Sequence, residues 1–182
     1  MKKIIYILLF LILTTQVFAS DFDFRQINWE MNQQQVIQSE KAKLLNQDEK
    51  HLIYECQVNN KDCALIYEFY DNKVVCAAYF FQINHINLNN YIDDYIELHN
   101  LLKNKYQEPI ENKIIWKNNL FKNSPLDYGT AISIGHLAYF SKWETETTKI
   151  GLNLLGDNYT IQLILMYFDK NYVPESPATD DL

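Results

Sequence analysis

The sequence predicts an α+β domain made of two tandem α-β-β-β units, with both helices packed on one face of an antiparallel sheet. Three observations carry that reading. Two segments with helix-start or helix-period signals stand at about 32–43 and 87–105. Each is followed by runs rich in aromatic and β-branched residues, the composition that suits a pleated, half-buried surface. The runs are joined by short Asn-, Asp- and Gly-bearing turns, which serve antiparallel hairpins, whereas parallel strands need long crossovers.

The first unit spans about 22–84. Asn32 can cap a helix, with Gln35 closing a capping box. Met31, Val36 and Ile37 give that helix a thin apolar stripe up to about Lys43. Strands are expected over 52–58, 63–70 and 73–83. Asn59-Asn60 and Asp71-Asn72 form two-residue turns, because Asn and Asp tolerate positive φ. Counting outward from these turns gathers Leu52, Tyr54, Cys56, Cys63, Leu65, Tyr67, Phe69, Val74, Cys76, Ala78 and Phe80 on one face, the expected core face. Ile66, Ala77, Tyr79 and Phe81 then fall on the opposite face. A sheet apolar on both sides has to be covered on both, by helices, by the other unit or by a partner.

The second unit spans about 85–170. Asn87 or Asn89 opens its helix, and Tyr91, Tyr95, Leu98 and Leu102 recur at i, i+4, i+7 and i+11. Pro109 stops it. Strands are expected over 113–117, 135–145, 149–155 and 159–168, the last two joined by Gly156-Asp157-Asn158. Residues 118–131, with Pro125 and Gly129, read as an irregular loop. Residues 171–182 read as a disordered acidic tail.

Ahead of the domain, Lys2 and Lys3 precede an apolar run from Ile4 to Leu13, and Val17-Phe18-Ala19 fits a small-residue cleavage site. This pattern of residues 1–19 predicts a signal peptide, with cleavage after Ala19 and an exported, periplasmic or extracellular product. The run is short for a membrane span, which takes about 20 apolar residues, so no stable membrane anchor is expected. The chain carries 16 basic and 23 acidic residues, net −7. Losing Lys2 and Lys3 takes the mature form to about −9. Nucleic-acid affinity comes mostly from Lys and Arg on phosphates, so a nucleic-acid partner is disfavoured.

An oxidising compartment lets a disulfide persist. The Asn59-Asn60 turn places Cys56 opposite Cys63, about 4.5–5.5 Å apart and within disulfide range. Cys76 is expected to be free and buried, although all three thiols reduced in a core is the other arrangement. His51, His85, His99 and His136 stand in no metal-ligand pattern, and no nucleophile elbow or phosphate loop is present. Asp93, Asp94, Glu97 and His99 crowd one helix, as a solvated face does. No catalytic residue, metal or cofactor is therefore assigned. Trp29, Trp116, Trp143, Tyr79 and Phe81 are candidate interface residues, since aromatic side chains dominate binding hot spots.

The segment D-F-R-Q-I-N-W-E-M-N-Q-Q-Q-V (Asp23 to Val36) resembles a helix-opening phrase of exported bacterial proteins, F-R-x-I-x-W-G-M-S-x-x-x-V. A related G-M-T-x-x-x-V phrase occurs in the small lipoprotein of the outer-membrane assembly machine. The order of elements is similar to the tandem repeats of the β-lactamase-inhibitor protein. Leu102, Lys105-Tyr106 and Pro109 look like the L-x-x-K-Y-G-x-P phrase that ends such helices. Glu30 and Gln107 stand where those phrases have Gly. The resemblance implies a protein-binding or envelope-associated module and transfers no catalytic residue. The sequence thus points to an exported non-catalytic protein-binding module such as an inhibitor, adaptor or effector; the alternative is an exported hydrolase with a His/carboxylate site assembled from distant segments.

Overall fold

The computed structural model describes residues 22–172. The expected signal peptide and residues 173–182 of the expected tail lie outside the described residues. The elements run α1 (Gln33–Ser39), β1 (Lys43–Gln47), β2 (His51–Val58), β3 (Lys61–Tyr70), β4 (Lys73–Phe81), α2 (Asn90–Tyr106), β5 (Glu111–Trp116), a 3-10 turn (Pro125–Asp127), α3 (Tyr128–Ser133), β6 (Leu137–Glu144), β7 (Thr148–Asp157) and β8 (Thr160–Asp169).

All eight strands join one antiparallel sheet in the order β1-β2-β3-β4-β8-β7-β6-β5. The last strands of the two units, β4 and β8, pair at the centre. Each unit then steps outward to its first strand, β1 at one edge and β5 at the other. The expected α+β architecture of two tandem helix-plus-sheet units is the one observed, with four strands per unit.

The helices all contribute to one core on one face. Val36 of α1, Tyr91, Tyr95, Leu98 and Leu102 of α2, and Ile132 of α3 pack with Leu52, Leu65, Tyr67, Ile150, Leu152 and Leu165 of the strands. The expected capping box is present: Asn32 Oδ1 accepts the Gln35 N–H, and Gln35 Oε1 accepts the Asn32 N–H.

Four local features differ from expectation, each for a physical reason. First, α1 stops at Ser39 rather than near Lys43. Glu40 Oε1 accepts the backbone N–H of Lys41 and of Ala42 at 2.8 Å each, a side-chain competitor for the helix ladder. The chain leaves extended and becomes β1, a short polar edge strand without the apolar alternation of a half-buried strand.

Second, β3 and β4 are not paired in one continuous register. Phe69 pairs with Val74 but Glu68 pairs with Cys76, so Val75 is an extra residue in a bulge. Side chains alternate with period two, so one extra residue exchanges the faces of everything beyond it. Ala77 and Tyr79 therefore enter the core, while Cys76, Ala78 and Phe80 turn to the other face. Third, the β7–β8 turn is Asn158-Tyr159, with φ 47° and 63°, rather than Gly156-Asp157-Asn158.

Fourth, the expected loop 118–131 holds the 3-10 turn and the start of α3. Asn89 Oδ1 accepts the Gly129 N–H at 2.6 Å, and its Nδ2 donates to the Pro125 and Leu126 carbonyls at 3.1 Å each. Gly129 lies so near the Leu88 backbone that a Cβ there would collide with it.

Candidate functional site

The face of the sheet opposite the helices is apolar at its centre. Strand pairing sets its side chains in rows across the sheet. One row runs His51, Glu68, Cys76, Phe168, Lys149 and Glu144. The next runs Ile53, Ile66, Ala78, Met166, Gly151 and Lys142. The third runs Glu55, Ala64, Phe80, Ile164, Asn153 and Phe140. A shallow groove of about 350 Å³ lies over the first unit's half, between Ile66, Ala78, Phe80, Met166 and Phe168. Phe80 and Leu155 keep 36% and 38% of their surface exposed, and Ile115 42%. Among the described residues, no element covers this face.

The charges here divide by unit. In the first unit's half, Lys43 is paired with Glu55 at 2.9 Å, which leaves Glu68, and Asp62 at the hairpin end, as the negative charges on the face. In the second half, Lys142 and Lys170 sit 3.4 and 3.3 Å from Glu144, and Lys149 is directly opposite it in the ladder. With Glu111 opposite Lys142 and paired to Lys113 at 2.9 Å, four lysines stand around two carboxylates, which leaves that corner positive.

The helix side carries a more polar cleft of about 650 Å³, walled by Arg25, Tyr79, Lys105, Tyr106, Thr147 and Tyr167. Arg25 takes φ 53°, uncommon for a residue with a side chain. Its guanidinium donates to Glu40 Oε1 at 2.9 Å and to the Tyr79 hydroxyl at 3.4 Å. The Tyr67 hydroxyl donates to Glu40 Oε2 at 2.6 Å. The Glu40 side chain is only 1% exposed, so Arg25 serves first to neutralise a buried carboxylate. Burial pushes the Tyr79 hydroxyl up to about 12, with Arg25 opposing the shift. Burial and the Glu40 hydrogen bond push Tyr67 well above the usual phenol range. Arg25 is thus held by the fold's own network of Glu40, Tyr67 and Tyr79.

Of the five candidate interface residues, Trp29, Trp143 and Tyr79 are core residues at 5%, 1% and 6% exposure, which corrects their expected role. Trp29 Nε1 donates to Thr148 Oγ1 at 3.1 Å, and Trp143 Nε1 donates to the Gln107 carbonyl at 3.0 Å. Trp116 packs half-buried on Tyr128, and Phe81 half-buried near Tyr79, both on the helix side. Of the side chains that line the open face, Phe80 is placed there by the β4 bulge, which leaves no mark in the turn residues, and Met166 and Phe168 by the pairing of β8 with β4, which no local turn announces.

Cys56 and Cys63 are directly opposed, with sulfurs 3.2 Å apart as thiols. Cys76 is buried, as expected, but on the helix-free face, where burial pushes its thiol up to about 12. His85 Nε2 meets Asp94 Oδ2 at 2.5 Å, and Lys61 holds the other Asp94 oxygen at 3.0 Å. This cluster ties the β2–β3 hairpin to α2. His51 meets Asp48 at 3.0 Å at a strand entrance. His99 stacks on Trp143 and His136 lies near Phe121. Among the described residues, no three His, Cys, Asp or Glu side chains are grouped to hold a metal ion, and no helix is long and apolar enough to cross a membrane.

No protein-family model, curated protein or solved structure matches the chain.

Proposed function

We propose that this is an exported, non-catalytic module that binds another protein through the helix-free face of its sheet. The observation that carries the reading is the apolar band over β3, β4, β8 and β7, with Ile66, Ala78, Phe80, Met166 and Phe168 at its centre. An antiparallel sheet with one solvated face alternates apolar and polar residues, and here the second face is apolar as well. Contiguous exposed apolar surface of this kind marks an interaction site. The signal-like residues 1–19 support export. The hydrolase alternative needs His and carboxylate side chains brought together from distant segments; the His85–Asp94 pair has its remaining oxygen taken by Lys61, and His51–Asp48 is a local, exposed pair, which favours structural roles.

Site-specific photo-cross-linking in cells that export the chain tests the reading. A photoreactive side chain at Phe80 or Phe140 on the open face should give protein adducts. The same group at Ile96 or Leu126, both exposed away from that face, should not. Equal adducts from both sides, or none from the open face, would overturn it.

A further inference from the structure

We infer that the protein received by this face is a second copy of the chain, seated sheet to sheet about a twofold axis that runs along the strands between β4 and β8. The inference rests on the proposed use of the face and adds the partner and its orientation.

Such an axis carries each strand onto its counterpart in the other unit. β4 lies over β8 of the second copy, β3 over β7, and β2 over β6, with the rows kept in step. In the first row, Glu68 then faces Lys149 of the second copy, and the symmetry supplies that pair twice. In the middle row, Ile66 lies over Gly151 of the second copy and Met166 over Ala78. On the four central strands each bulky side chain of this row meets a gap, and farther out Ile53 lies over the aliphatic stem of Lys142. In the third row, Phe80 meets Ile164. Aligned sheets pack about 10 Å apart with a rotation near 30°, so the match is carried by the strands nearest the axis, which are those named.

The alternative axis, across the strands through the middle row, lacks both features. It stacks Ile66 on Ile66, Met166 on Met166 and Gly151 on Gly151, and it puts Glu68 over Ala64. Bulk falls on bulk and gap on gap, and the charges find no partner. The six strands from β2 to β6, at roughly 4.8 Å spacing by about 20 Å of strand, give about 580 Å² per copy, a total near the lower end of the ~1,200–2,000 Å² of stable interfaces.

Sedimentation equilibrium of the exported form, with circular dichroism to verify folding, tests the proposal. Wild type should dimerise. Glu68→Lys and Lys149→Glu should each weaken the dimer at least about tenfold, by placing like charges together, and the double variant should recover most of the loss. Gly151→Val should also weaken it about tenfold or more, by filling the gap under Ile66. A Cβ at Gly151 makes only ordinary contacts, at 3.9 Å to Asn153 and Met166, so the monomer accommodates it. A dimer indifferent to these changes, or a double variant as weak as the singles, would overturn the proposed geometry. A chain that stays monomeric up to about millimolar concentration would overturn self-association. Open-face cross-links to a different protein in that case would leave the protein-binding reading standing, and their absence would remove both.

Discussion

Replacing Gln107 by Gly should stabilise the protein, and the size of the effect follows from one backbone position. Gln107 caps the C-terminus of α2 with φ 69° and ψ −160°. That region is almost reserved for glycine, and holding another residue there costs about 1–3 kcal/mol. The side chain is exposed, and the group that does structural work is its carbonyl, which accepts the Trp143 indole N–H at 3.0 Å. Glycine keeps that carbonyl. It adds about 0.5–1 kcal/mol of chain entropy lost on folding, so the net gain is about 1 kcal/mol. For a domain of this size that raises Tm by roughly 2–4 °C. Scanning calorimetry on Gln107→Gly, with Gln107→Ala as the control that keeps the strain, measures it. Equal Tm values for the two variants, or a lower Tm for the glycine variant with an unchanged near-UV spectrum, would refute the strain argument.

Tyr159 poses the same problem in the β7–β8 turn, at φ 63° with 84% of its surface exposed; Tyr159→Gly should raise the urea midpoint by the equivalent of about 1 kcal/mol. Gly129→Ala should act the other way and lower Tm by several degrees, at a cost of about 1–3 kcal/mol, because its Cβ meets the Leu88 backbone. Alkaline unfolding should set in from about pH 10, well before Arg loses its charge. Burial raises Tyr54, Tyr79 and Tyr95 to about 12, so above pH ~10 the unfolded chain releases protons that the folded chain retains. Stability is therefore full below pH ~10 and falls towards pH 12; a flat fluorescence profile over that range would contradict the burial of these hydroxyls. Non-reducing peptide mapping of the exported protein should return a Cys56–Cys63 link. Iodoacetamide at pH 8 should leave Cys76 unlabelled until denaturant is added, since its thiol stays protonated when folded.

Much of the scaffold was legible because short-range chemistry decides it. Asn59, Asn60, Asp71 and Asn72 all take positive φ, from 48° to 60°, as their side chains permit. The spacing of Tyr91, Tyr95, Leu98 and Leu102 set the buried stripe of α2. Of the two positions, Glu30 and Gln107, where the phrase comparison has Gly, only Gln107 takes positive φ. What escaped depends on contacts distant in sequence. The Arg25–Glu40–Tyr67 network joins three segments, and only in the fold does the Glu40 carboxylate cut α1 short. Strand β1 is polar and held by its ladder to β2 rather than by burial. Asn89 organises the loop over 118–131 from about 40 positions away in sequence, which no local pattern in that loop announces.

The β4 bulge connects the core to the candidate interface and decides which of its consecutive aromatic residues faces outward. Tyr79, Phe80 and Phe81 are three consecutive rings, and period-two alternation alone leaves open which way they point. Phase is decided at Val75. Without the extra residue, Phe80 would enter a core that Tyr79 now fills by packing 5.5 Å from Phe24 and 6.4 Å from Tyr167, with its hydroxyl reached by Arg25. Tyr79 would instead place its hydroxyl on the open face beside Met166. The bulge thus brings the phenol to the Arg25 guanidinium and leaves the side chain with no polar atom, Phe80, outside. A purely structural bulge has no need of an apolar residue outside: a polar side chain at position 80 would leave the core contacts of Tyr79 untouched. Phe80 beside Ala78 and opposite Ile164 is better accounted for by a surface that is covered when the protein is at work.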